Sequence, residues 1–383
     1  MPDSTRLLDS PLLPGSIYAE GEALLSEGEL RDLGERLGAL PPPPWELGSP
    51  RVTWPWEPGR GLVRYNRVEG LSAGARLDWD LTRLRTDLTA RIGVADTEPR
   101  VELGVELPTL SHVWRLAGYR RLAAMDPSVR PLGPGNSLTA LLLGRDDGTY
   151  FQATGAELRL GPAPGQGRYD LRLYVERQRA VERNTDASVA HLLDEAHRFR
   201  PNLPAAAADQ VGVAARAGVE RGLDPTGFRW GTWLDLRAET GDFTFARPGV
   251  TLRLAAPLPA ELLGAVELAG GTTLHETGDP PPLQAAWFLG GPATLRGFPG
   301  GALYGPDYAR ARLELANQLP AARLALFSDA GWAGSTETYR REDVALSAGI
   351  GASVLDGLLR ADLARAIQPE PGWRLELYID AVF

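Results

Sequence analysis

The chain of 383 residues has a net charge of −9, no cysteine and no lysine, so all 40 of its basic residues are arginine. Without cysteine there is no disulfide framework, thiolate metal site or cysteine nucleophile; without lysine there is no Walker A loop, Schiff-base lysine or S-x-x-K hydrolase. The acidic balance argues against a dedicated nucleic-acid binder, and no run of about 18 apolar residues is present to form a transmembrane helix.

Met1-Pro2-Asp3-Ser4-Thr5 lacks the charged-then-apolar pattern of a signal sequence, so an exported protein would begin here as a mature or excised segment. Leu30, Leu33 and Leu37 fall at helical spacing behind acidic residues, and Pro41-Pro42-Pro43-Pro44 then stiffens the chain into an extended linker. Residues 1–60 therefore read as a short pre-domain: one helix, a proline hinge and a tryptophan-rich approach through Trp45, Trp54 and Trp56.

From about residue 69 the hydrophobic period becomes two. Leu71, Ala73, Ala75, Leu77 and Trp79 alternate with Ser72, Gly74, Arg76, Asp78 and Asp80, and the pattern recurs to the end of the chain. The predicted strands are 69–80, 87–95, 99–107, 113–122, 137–145, 150–161, 167–178, 211–221, 228–240, 243–256, 261–273, 308–319, 321–332, 344–354, 357–366 and 373–383. These number sixteen, an even count suited to closure. The stretch 137–145 does not alternate and fits a helix as well as a strand. Tight connections (Asp96–Pro99, Pro257–Ala260) and long ones (179–210, 274–307) suggest short turns on one rim and loops on the other.

The polar face carries both signs of charge, among them Arg76, Asp78, Glu102, Arg172, Glu176, Asp235, Arg237, Glu267, Arg312, Glu314 and Arg360. Burying these in a dry sandwich core would cost several kcal/mol per unpaired ion, whereas a wet lumen accommodates them. The last strand sets Trp373, Leu375, Leu377, Ile379, Ala381 and Phe383 on one face and Arg374, Glu376, Tyr378 and Asp380 on the other. An apolar face ending on aromatic residues suits a strand that closes a barrel in lipid, with Trp373, Tyr378 and Phe383 as its signal. The fold class is all-β: a transmembrane antiparallel β-barrel over 61–383 with the short N-terminal helix and linker before it.

Phe288-Leu289-Gly290-Gly291-Pro292-Ala293-Thr294-Leu295-Arg296-Gly297-Phe298 lies in the long connection before the last five strands, and Phe327-Ser328-Asp329-Ala330-Gly331 follows on the strand after the next. With Arg64-Tyr65-Asn66-Arg67-Val68-Glu69-Gly70-Leu71 and the terminal Phe383, this resembles the Omp85 superfamily, the BamA/TamA and two-partner-secretion barrels also called surface antigen D15. The resemblance covers about 64–383 and implies that loop 274–307 folds into the lumen, with Arg296 at an R-G-F tip pairing to the acidic residue of an F-x-D-x-G motif. Physical chemistry fits: Phe327 and Asp329 share a strand face, Asp329 can accept a bidentate guanidinium, and Gly291, Gly297, Gly300 and Gly301 permit left-handed backbone at the tip. The lumen lock is thus read as Arg296, Gly297 and Phe298 with Phe327, Asp329 and Gly331, and Glu314 as a second acceptor. On spacing alone, a solvated loop arginine is an equal reading.

His191 and His197 are six residues apart, on different faces of a short loop helix capped by Thr185 or Asp186, and form no metal pair. No G-x-S-x-G elbow is present. Carboxylates at Glu337, Glu342 and Asp343 read as a solvated surface, and no cofactor, metal or catalytic residue is expected. The resemblance implies an outer-membrane location in a bacterial envelope, with lipid and polypeptide clients as partners and no bond chemistry. Clients would be inserted or exported through the lumen or through a lateral seam between the first and last strands. Residues 1–60 are too short and proline-rich for a POTRA domain, so such domains, or a passenger that the barrel anchors, would lie outside this chain. A passive pore and a soluble β protein are the competing readings.

Overall fold

A computed structural model of the chain describes residues 50–54, 61–127, 129–222, 224, 227–276, 281–317, 322–340, 343–354 and 359–379. The helix expected near 26–37, the proline hinge and Phe383 lie outside these residues.

Among these residues sixteen strands follow one another in an antiparallel meander. The first, β1, comes in two segments, Arg51–Thr53 and Val63–Asn66, that pair with successive stretches of the same neighbour. Then come β2 (Gly70–Leu81), β3 (Leu84–Gly93), β4 (Arg100–Pro108), β5 (His112–Ala124), β6 (Tyr150–Pro162), β7 (Tyr169–Ala180) and β8 (Ala208–Arg221). They are followed by β9 (Arg229–Gly241), β10 (Phe245–Leu258), β11 (Leu262–Gly271), β12 (Asp307–Asn317), β13 (Ala322–Gly334), β14 (Ala345–Val354), β15 (Leu359–Gln368) and β16 (Gly372–Ile379). Each strand pairs with the next, up to Leu363 opposite Leu375 between β15 and β16. Among the described residues no ladder joins β16 to β1, so the sheet has a seam.

Two expectations change. The stretch 137–145 is not a strand but belongs to helix α1 (Pro134–Leu143). Pro134 occupies the first turn, where its missing N–H is harmless. Gly144 ends the helix in the left-handed conformation at φ 60°, its N–H bonded to the Ala140 carbonyl. The sixteenth strand is instead β1, whose Arg51–Thr53 segment falls in the stretch read as linker. The sheet thus begins at Arg51, not at 61. This exchange moves the early strands by one place, so the turn at Asp96–Pro99 joins β3 to β4 on the same rim as the long loops 125–149, 181–207 and 272–306.

The two faces of the sheet are inverted relative to a water-soluble protein. Leu88, Leu103, Leu116, Val175, Leu234, Leu254, Leu313, Leu326, Ile350 and Leu363 are exposed, whereas Asp87, Glu157, Glu176, Glu267, Arg312, Glu314 and Asp362 are buried. A continuous apolar girdle of this kind would drive aggregation in water and is the surface that hydrocarbon requires. The buried charges form networks instead of isolated ions: Glu157 pairs with Arg121 at 2.6 Å and Arg172 at 2.7 Å, and Arg115 bonds both Asp87 and Glu102.

Candidate functional site: the inner loop and the seam

The connection between β11 and β12 turns inward. Trp287–Leu289 pairs antiparallel with Leu303–Gly305, a small hairpin that carries the tip 290–302. The tip is closed by Gly291 N–H donating to the Phe298 carbonyl at 2.8 Å and by the Thr294 hydroxyl donating to the Gly290 carbonyl at 2.6 Å. Leu289, Leu295 and Phe298 pack with Ala345 of β14 and Ala366 of β15, which seats the tip against the inner wall. Gly297 has φ +87°, and an added Cβ would press on Ser347 and Ala364. Gly300 is a glycine for a different reason: a Cβ there would lie 2.4 Å from that of Asp147.

Arg296 is fully buried. Its Nε and Nη2 donate to the two oxygens of Asp329 at 2.8 and 2.6 Å, and its own backbone N–H donates to Asp329 at 3.0 Å. Nη1 donates to Glu314 at 2.9 Å and lies 3.8 Å from Asp362. The guanidinium sits 3.7 Å above the Phe327 ring centre, a cation–π contact. Arg360 bonds Glu314 and Asp362, and Arg312 stands 3.6 Å from Asp329. Arg323 also lies 3.7 Å from Glu314, so four arginines converge on three carboxylates and each buried carboxylate has guanidinium partners. The period of two on β13 explains F-x-D-x-G: Phe327 gives the ring, Asp329 the fork, and Gly331 the space that Leu289 and Leu295 occupy.

The loop also reaches the last strand. Gly297 N–H donates to Glu376 at 3.2 Å, and Arg374 bonds both Glu376 and Asp147. Gly300 N–H donates to Asp147 at 2.8 Å, and Arg200 donates to the Gly300 carbonyl. Sequence reasoning missed Glu376 and Asp147. Glu376 could have been found from its place with Arg374 on the polar face of the closing strand, while nothing in the sequence marks Asp147. Of the closing-strand residues, Trp373 is exposed on the outer face and Tyr378 pairs in register with Arg360.

The opening motif forms the β1–β2 turn. Asn66 accepts from the N–H groups of Val68 and Glu69, Arg64 forks onto Glu69 at 2.6 and 2.8 Å, and Arg100 adds a pair at 3.2 Å. Burial pushes the Glu69 carboxyl up, but the two arginines outweigh it and hold the group below its ordinary value. Arg67 is buried against the carbonyls of Asp146 and Gly148. In the loop after β7, helix α2 (Val189–Leu193) is capped by Ser188, not by Thr185 or Asp186, and His191 Nδ1 donates to the His197 carbonyl.

No protein-family model and no curated protein matches the chain. Among solved structures it is similar to BamA from Haemophilus ducreyi lacking POTRA domains 1–3, at 17% identity and a TM-score of 0.53, over 83% of this chain and 68% of that one. It also matches CdiB from Acinetobacter baumannii at 13% identity and a TM-score of 0.46, spanning 83% of this chain and 58% of CdiB. The fold is therefore that of an outer-membrane β-barrel of the BamA kind.

Proposed function

We propose that this barrel sits in a bacterial outer membrane and inserts or translocates polypeptide there, in the manner of the Omp85 proteins. One observation carries the reading: among the described residues the wall has two strand edges, β1 and β16, without a ladder between them, and a sheet edge is a template for another strand. A client strand pairing there satisfies its backbone while its side chains alternate between lipid and lumen. The buried knot of Arg296 holds the inner loop on β12, β13 and β15, and the Gly297–Glu376 bond makes β16 part of the same assembly. The barrel's work is then a change of strand pairing, with no bond chemistry.

A passive pore is the rival reading, favoured by a charged lumen cavity of about 1040 Å³ lined by residues such as Arg172, Asp235 and Arg247. Reconstitution separates the two. Purified protein in vesicles is expected to speed the folding of a denatured outer-membrane barrel above the rate in empty vesicles, and to conduct only in brief openings. Steady large conductance with no gain in folding rate would overturn the proposal in favour of the pore.

A further inference from the structure

We infer that α1 is a displaceable wedge in the barrel wall, filling the β1–β16 seam until an incoming strand takes its place; the inference rests on the polypeptide reading of that seam. The helix packs against both strands that flank the seam. On one side the Ser137 hydroxyl accepts from the backbone N–H of Tyr65 at 3.0 Å. On the other, Arg145, just past the helix, donates to the Leu375 carbonyl at 2.8 Å. Side chains of the wedge thus serve backbone groups of both edge strands.

The helix is also patterned as wall. Asn136, Thr139 and Leu143 line the lumen cavity, whereas Leu138, Leu141 and Leu142 form a stripe at helical spacing that is about 40% exposed. Val63 and Leu375 on the flanking strands are exposed to a similar degree. A loop helix meant only to cover the rim would have no reason to set three leucines outward while Asn136 and Thr139 line the cavity beside Leu143. Among the described residues one side-chain hydrogen bond ties it to each edge, with Ala140 packed beside Tyr65 on the β1 side, whereas a strand pairing with β16 would form a ladder along it. A strand entering the seam would exchange these two side-chain bonds and one apolar contact for a backbone ladder. It would also be felt inside: Asp147, two residues beyond Arg145, holds both Gly300 of the inner loop and Arg374 of β16.

The test compares wild type, the Ser137→Ala/Arg145→Ala double variant and a variant with residues 134–143 replaced by a glycine-serine linker, all in lipid vesicles. Two readouts are taken: amide exchange over 63–66 and 372–377, and binding of a labelled peptide with the sequence of residues 372–383. Loss of one hydrogen bond per edge is expected to raise exchange there about 5-fold in the double variant, and the peptide is expected to bind at least about 10-fold tighter than to wild type. Faster exchange without peptide binding would keep the wedge and remove the polypeptide reading. Unchanged exchange at both edges in the double variant would overturn the wedge. If the linker variant does not fold, the double variant decides alone, because it alters only two side chains outside the strands.

Discussion

Replacing Arg296 by alanine leaves the buried Asp329, Glu314 and Asp362 without their central guanidinium, with Arg312, Arg323 and Arg360 still beside them. Three charge-assisted side-chain hydrogen bonds and the contact with Phe327 disappear together. Breaking a buried ion pair from one side costs about 3–5 kcal/mol. The remaining arginines re-pair in part, which places the expected loss at about 3 kcal/mol, near the lower end of that range. Arg296→Lys keeps the charge but not the fork and is expected to lose about half as much. Urea unfolding in detergent, followed by tryptophan fluorescence and by gel mobility with and without boiling, measures the loss. Limited proteolysis across 272–306 reports the loop itself. A double-mutant cycle with Asp329→Ala isolates the pair, with an expected coupling of about 2 kcal/mol. The knot would not be what holds the loop if Arg296→Ala stayed within about 1 kcal/mol of wild type with the loop equally protease-resistant.

Leu326→Arg places a charge on the outer face, where the leucine is 59% exposed; in a bilayer it is expected to cost about 2–4 kcal/mol near the midplane, whereas a water-facing surface would tolerate it, so refolding yield in vesicles tells the two apart. Gly290 has φ +128°, and a Cβ there would lie 1.9 Å from the Pro299 carbonyl oxygen. Gly290→Ala is therefore expected to destabilise by more than about 1 kcal/mol and to expose the tip to protease; equal resistance would show that the tip tolerates another path. The depressed Glu69 carboxyl stabilises the β1–β2 turn fully above its ordinary value of 4.5, and that contribution is lost as pH falls through the lower folded value. Amide exchange at 66–70 is expected to rise on acidification below about pH 4.5 in wild type and to be less pH-dependent in Glu69→Gln; identical profiles would remove Glu69 from the turn's acid response.

The period of two was legible because it is a local property: each strand residue meets either hydrocarbon or the lumen, and the chain must alternate accordingly. It is why Phe327 and Asp329 share a face of their strand on spacing alone. Other features had no such local sign. The Arg51–Thr53 segment is too short for a period and becomes part of β1 only by pairing with residues 76–78. The apolar run 137–145 fits strand and helix alike, and Pro134 in the first turn with Gly144 at the end makes it a helix. Glu376 and Asp147 acquire their roles from partners far along the chain, as does Arg145, which lies 230 residues from Leu375. The alternation along each strand thus sets which side chains face lipid and which face the lumen. The seam, the wedge that fills it and the partners around Arg296 were decided only by tertiary structure, because closing a wall depends on which distant edges meet, and no local pattern encodes that.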